Sequence, residues 1–281
     1  MSESKMFLNG EYYSLAGRKV YVREWRRDEN SWGTVLIVHG LGEHGARYRY
    51  VADRLTAIGL RVRVVDLWGH GRSDGIRGHM TSYEEMEEVI VWAVEQIQQQ
   101  QPGAVFIYGH SMGGQLVVNT ILDKKLQVNG VILSAPWLGL AMKSPWWKLL
   151  AGQIAARVYP AFTFSTKIDK KFLVNGEFLE ELEEEEAKLL HQRISAGLYA
   201  QMVQGSAVAM QRASEFTTPL FLYHGTEDCV TCLKTSVEFY ESCGAKEREI
   251  LIVDEMGHEG HQGEQGVRIL DAICKWLKTK T

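Results

Sequence analysis

Short apolar runs along the chain alternate with segments whose apolar residues recur every three or four positions. Thr34-Val35-Leu36-Ile37-Val38 is nearly all apolar, the pattern of a strand covered on both faces of a parallel sheet. From Tyr48 to Ile58 the apolar positions Val51, Leu55 and Ile58 fall on one helical face, and Gly59 closes the segment. Leu60–Val65 returns to strand. Ser82 to about Gln100 reads as a long helix, with Ser82 as N-cap and Glu85 at the capping-box position. The alternation continues through Ala104-Val105-Phe106-Ile107-Tyr108, the helix-like Gln115–Leu122 and the strand Gly130–Ser134. Two strands, Glu11–Leu15 and Lys19–Trp25, form an opening hairpin around Ala16-Gly17-Arg18.

The pattern then changes. From about Trp137 to Ala213 no short strand bounded by turns is visible, and helical periodicity covers Pro145–Val158, Gly176–Leu190 and Ala196–Met210. Strand and helix resume with Pro219–His224, a helix from about Thr231 to Ser242, Glu249–Val253, and a last helix from about Glu264 to Leu277. Strands alternating with helices predict an α/β fold with a mainly parallel central sheet flanked by helices and right-handed crossovers. The helical block reads as an inserted cap, which divides the chain into core (1–137), cap (138–212) and core again (213–281).

Composition narrows the function classes. With 45% hydrophobic and 23% charged residues in 281, the chain can bury a sizeable core. Lys and Arg total 31 against 35 Asp and Glu, a balance that argues against nucleic acid as partner. The N-terminal residues lack the basic-then-apolar profile of a secretory signal, and no apolar run is long enough to span a bilayer, so the expectation is a soluble, cytoplasmic protein. Cys229, Cys232, Cys243 and Cys274 are too few and too clustered for a disulfide framework. Cys229-Val230-Thr231-Cys232 has redox-motif spacing, but without a second pair for zinc it reads as ordinary thiols.

The chemistry begins where the strand 104–108 runs into Gly109-His110-Ser111-Met112-Gly113-Gly114 and passes at once into a helix. That is the strand–turn–helix setting of a nucleophile elbow, in which glycines make room for a tight turn that lifts the Ser111 hydroxyl above the sheet. A serine hydroxyl needs a histidine to take its proton and a carboxylate to orient that histidine. In this architecture the acid and then the histidine follow the serine, in loops after the last strands. Gly225-Thr226-Glu227-Asp228 offers the acid, Asp228 being favoured over Glu227 for its shorter side chain. Asp254-Glu255-Met256-Gly257-His258-Glu259-Gly260-His261 offers the base, with His258 first and His261 second. His110, His39, His70 and His224 read as packing or hydrogen-bonding scaffold. The developing oxyanion needs fixed backbone donors, assigned to the N–H groups of Met112 and of Leu41 in His39-Gly40-Leu41-Gly42.

Together these residues resemble the serine α/β-hydrolase superfamily, and within it the monoacylglycerol lipase and lysophospholipase group. The resemblance spans nearly the whole chain. It rests on His39-Gly40-Leu41-Gly42-Glu43-His44 with Arg47-Tyr48, on Asp66 followed by Gly69-His70-Gly71 and Ser73, on Gly109–Gly114, and on Asp228 and His258. It implies an α/β-hydrolase fold with a helical cap. It also implies a triad of Ser111, Asp228 and His258, a polar head-group recess of Glu43, Arg47 and His261, and hydrolysis of single-chain lipid esters with no metal or organic cofactor. The match is weakest across the cap. There Trp146-Trp147-Lys148 suits a membrane–water interface or the mouth of an acyl tunnel, though packing of the cap explains it equally well. Glu180–Glu186 reads as a solvated helix face. Peptidases, thioesterases and silent small-molecule receptors share such a scaffold and stand as alternatives.

Overall fold

The computed structural model describes residues 7–27, 30–100, 103–141, 155–166, 173–174 and 181–280. Eight strands form one sheet: β1 (Phe7–Leu15), β2 (Arg18–Arg26), β3 (Gly33–Val38), β4 (Leu60–Asp66), β5 (Ala104–His110), β6 (Gly130–Ser134), β9 (Leu220–Gly225) and β10 (Arg248–Val253). Their spatial order is β1-β2-β4-β3-β5-β6-β9-β10. The opening hairpin is antiparallel and joins β4 antiparallel, and every pairing from β4 to β10 is parallel. The hairpin is longer than its alternating core suggests, because β1 pairs with β2 residue by residue from Phe7↔Arg26 to Leu15↔Arg18.

Why the central strands are apolar on both faces is visible in how they pack. Leu36, Val38, Val105, Ile107, Val131 and Leu133 point into one apolar layer, while Val35, Ile37, Phe106, Tyr108 and Ile132 point into the other. Helices α2 (Tyr83–Gln100) and α3 (Met112–Lys124) cover the first layer, and α1 (Arg49–Thr56) and the C-terminal helix Gly266–Lys278 cover the second. Ser82 caps α2 as expected, its hydroxyl accepting the Glu85 N–H at 3.2 Å.

Between β6 and β9 the chain leaves the sheet. Helix Ala196–Gln211 is present, starting at Ser195, whose hydroxyl accepts the Leu198 N–H at 3.0 Å. Two expectations need correction here. The segment holds a small antiparallel pair, β7 (Thr163–Ser165) with β8 (Arg193–Ser195), which three-residue strands without alternation do not announce. Helix over 176–190 is confined, among the described residues, to the single turn Glu184–Ala187. Beyond it the backbone docks on the core, the His191 N–H donating to Gly42 O at 2.9 Å. Most of Pro145–Val158, including Trp146 and Trp147, lies outside the described residues. Among the described residues no helix is long and apolar enough to cross a membrane.

Candidate active site

Parallel register places the C-terminal ends of the strands along one edge. Val38 pairs with both Val65 and Gly109, His110 with Ser134, and Ser134 with Tyr223. At that edge Ser111 follows β5 with φ +51° and ψ −117°, a region L-residues rarely enter. Hydrogen bonds hold it there: its N–H donates to Ser134 O at 2.9 Å, and its carbonyl accepts from Trp137 N at 2.9 Å and Gln115 N at 3.2 Å. The flanking glycines are required by contact. A Cβ at Gly113 would lie 2.2 Å from Val38 O, and one at Gly109 2.7 Å from Gly114 Cα.

Residues distant in sequence meet this serine. The Ser111 hydroxyl lies 2.9 Å from His258 Nε2, and His258 Nδ1 lies 2.7 Å from Asp228 Oδ2, so a proton on Nδ1 gives one hydrogen-bonded line through the three side chains. Asp228 is anchored by its own turn. Its Oδ1 accepts the N–H groups of Val230 and Thr231 at 2.7 and 2.9 Å, and its Oδ2 accepts the Thr231 hydroxyl at 2.7 Å. Burial works to raise the Asp228 pKa, but the His258 ring and the hydrogen bonds of His224 and His258 outweigh it and hold the carboxyl well below the usual range. For His258 burial favours the neutral ring; the adjoining Asp228 charge and hydrogen bond win, and its pKa is raised.

The loop after β3 closes the other side. Gly40 abuts the serine so closely that a Cβ there would lie 3.3 Å from Ser111 Cβ and 3.1 Å from the His110 ring. Leu41 is the next residue, and Met112 opens α3, where its N–H has no carbonyl a turn earlier to bond. Glu43 pins the loop, its Oε1 accepting the Gly40 N–H at 2.6 Å and the Tyr48 hydroxyl at 2.7 Å. Asp66 pins it from beneath through the N–H groups of Gly45 and Arg72 at 2.8 and 2.9 Å, a structural role for that motif residue. His39 accepts the Leu67 N–H at 3.0 Å, as a scaffold histidine should.

Glu43, Arg47 and His261 are brought together, but in a buried network with partners that spacing did not reveal. Arg47 pairs with Glu259 Oε2 at 2.5 Å, and its Nε lies 3.8 Å from Glu43 Oε2. Burial opposes ionisation of both acids. Arg47 and the neighbouring histidines nonetheless hold Glu43 low, whereas Glu259 is pushed up by its burial and by the Glu43 charge. His261 is fully buried, stacked on Tyr48 at 5.1 Å and edge-on to His110 at 4.9 Å, and His110 in turn lies 4.9 Å from the His258 ring. Among the described residues neither His261 ring nitrogen has a hydrogen-bond partner, nor does Glu43 Oε2.

Several contributors escaped sequence reasoning. Thr231 was legible in principle, as a hydroxyl three residues after an aspartate in a turn. Glu259 as the partner of Arg47 was not, since they meet only through folding over 212 positions. Glu186, read as part of a solvated face, is instead docked on the core. Both its oxygens accept from Arg23 at 2.8 Å, Oε1 also accepts from Arg72 at 2.7 Å, and its backbone carbonyl lies 3.0 Å from His44 Nε2. Cys229 and Cys232 are free thiols in the loop that holds Asp228.

Comparison with known proteins identifies the family and the fold. The model of the serine aminopeptidase S33 family matches residues 29–265. An uncharacterized abhydrolase domain-containing protein of Dictyostelium discoideum is 33% identical over 261 residues, 92% of this chain but only 28% of that protein's length. The monoacylglycerol lipase of Mycolicibacterium smegmatis is 23% identical over 267 residues, 95% of each chain. The crystal structure of Paleococcus ferrophilus monoacylglycerol lipase superposes with a TM-score of 0.81 at 29% identity, covering 93% of this chain and 99% of the other. The chain therefore belongs to the serine aminopeptidase S33 family, serine hydrolases built on the α/β-hydrolase fold.

Proposed function

We propose that this serine hydrolase cleaves monoacylglycerols or similar single-chain lipid esters through an acyl-enzyme. The line from Ser111 through His258 to Asp228, at 2.9 and 2.7 Å, carries the reading. Ser111 Oγ attacks the ester carbonyl while its proton passes to His258 Nε2. Asp228 steadies the imidazolium, and the N–H groups of Leu41 and Met112 receive the oxyanion. His258 then returns the proton to the leaving glycerol oxygen, and water, activated by the same ring, releases the fatty acid and restores Ser111.

Glu43, Arg47 and His261 form the head-group recess in this reading. The His261 ring nitrogens, without a hydrogen-bond partner among the described residues, suit a diol, which offers both donors and acceptors. Residues 138–212 act as the cap. Their exposed Val158, Tyr159, Phe162 and Phe164 support contact with a lipid surface. A peptidase specific for a free amino terminus would need a carboxylate left over for the ammonium group. The two buried acids here share Arg47, which weighs against that reading.

The test is a rate series on p-nitrophenyl esters from acetyl to palmitoyl, on 1- and 2-monoacylglycerols, and on aminoacyl anilides. Long-chain esters and monoacylglycerols should be cleaved fastest, with fluorophosphonate labelling Ser111. Activity confined to acetyl esters, or faster cleavage of the anilides, would sink the proposal.

A further inference from the structure

Two histidines converge on the acid of the site. His258 Nδ1 reaches Asp228 Oδ2 at 2.7 Å, and His224 Nε2 reaches the same oxygen at 3.1 Å. The side chains of His224 and Asp228 are wholly buried, and so is Ser236, whose hydroxyl lies 2.9 Å from His224 Nδ1. His224 lies near the end of β9, and Ser236 belongs to the helix Leu233–Ser242 that follows the acid loop. A ring nitrogen this close to a carboxylate oxygen carries its hydrogen, since two lone pairs would repel, so Nε2 is the donor. In a neutral ring Nδ1 is then the acceptor and the Ser236 hydroxyl donates to it. The acyl-transfer steps make no use of His224, yet its buried ring is oriented from both ends.

We propose that His224, held by Ser236, is a positioning residue that shares Asp228 Oδ2 with His258 and thereby sets how firmly the acid holds the proton on the His258 ring. The inference rests on the triad reading above. Oδ2 accepts from the Thr231 hydroxyl, from His224 and from His258, so its charge is divided among three donors. With the His224 donor gone, more of that charge falls on His258 and its imidazolium persists to higher pH. The other titratable and charged groups facing His258 are His110 at the end of β5, Glu259 and His261 on its own loop, and Glu43 before and Arg47 within the turn 45–48. None of these is altered in the test.

The His258 midpoint is read by NMR on 13C-histidine-labelled protein, assigned by the signal lost in His258→Gln. His224→Leu should raise it by about half a pH unit or more, and Ser236→Ala by less. His224→Gln, whose amide can donate to the same oxygen, should bring it back toward wild type. A midpoint unmoved or lowered in His224→Leu overturns the proposal. Should that variant fail to fold cooperatively, Ser236→Ala decides on the same criterion. The acid limb of kcat/KM for monoacylglycerol hydrolysis should move with the midpoint. A wild type that hydrolyses no ester refutes the reading of the site, while the NMR midpoint still judges His224.

Discussion

Ser111 sits at φ +51° because hydrogen bonds on both sides of it and the packing of its glycine neighbours leave it nowhere else to go. Such a conformation costs about 1–3 kcal/mol in a residue with a β-carbon, and glycine escapes most of it. Ser111→Ala should therefore abolish hydrolysis with the fold intact, by about 10⁴-fold or more, and Ser111→Gly, equally inactive, should melt no lower than Ser111→Ala despite glycine's looser unfolded chain. Calorimetry of the two variants checks this. For His258 the base form is the neutral ring, so kcat/KM should fall as pH drops through a midpoint above the ordinary histidine value of 6.5. The same shift carries a stability of opposite sense. It is fully present below the unfolded value and lost as pH rises through the raised folded one, so pH–rate and pH–melting curves should bend in opposite directions. Asp228, held low, stays ionised throughout.

At the scale of elements, the strands that were easiest to read are those covered on both faces. There every position has to be apolar, and a run such as Val35-Leu36-Ile37-Val38, short and rich in β-branched residues, fits a strand better than a helix. The segment between β6 and β9 was least legible, because its conformation is set by what it lands on. Glu186 leaves the expected solvated face because Arg23 and Arg72 wait on the core, and β8 exists because β7 lies beside it. Helix α2 carries a testable tension. Glu87 is buried against α3, its Oε1 without a hydrogen-bond partner among the described residues and its Oε2 3.5 Å from Lys124 Nζ. Burial first, and Asp123 second, push its pKa up to about 7. The unfolded chain gives up this proton earlier than the folded one, so the group erodes stability as pH climbs from the ordinary carboxylate value of 4.5 to about 7, and the cost is constant above that. Glu87→Gln should raise the melting temperature by a few degrees in mildly alkaline buffer and leave it unchanged in acid. Equal gains at both would contradict the assignment.

On the scale of the whole molecule, parallel register gathers every chemistry-bearing loop at one edge, while the segment carrying Val158, Tyr159, Phe162 and Phe164 exposes large apolar side chains. Replacing Phe162 and Phe164 together with Asp should weaken co-sedimentation with phosphatidylcholine vesicles. Turnover of a short soluble ester should be spared, because both side chains are exposed and form no part of the Ser111–His258–Asp228 line. Binding that persists unchanged would remove the proposed lipid contact from this face.

Local pattern alone determined the alternation of strands and helices and the elbow at Ser111, while the order serine, acid, histidine along the chain came with the architecture that the elbow resembles. The first two follow from short-range rules: period, turn chemistry, and the residues a tight turn admits. Which charged groups pair was decided only in three dimensions. Arg47 with Glu259 and Arg23 with Glu186 join partners far apart along the chain, and burial rather than spacing makes each pairing necessary. A charge removed from water has to find its counterpart wherever the fold brings one, and sequence carries no local mark of that place.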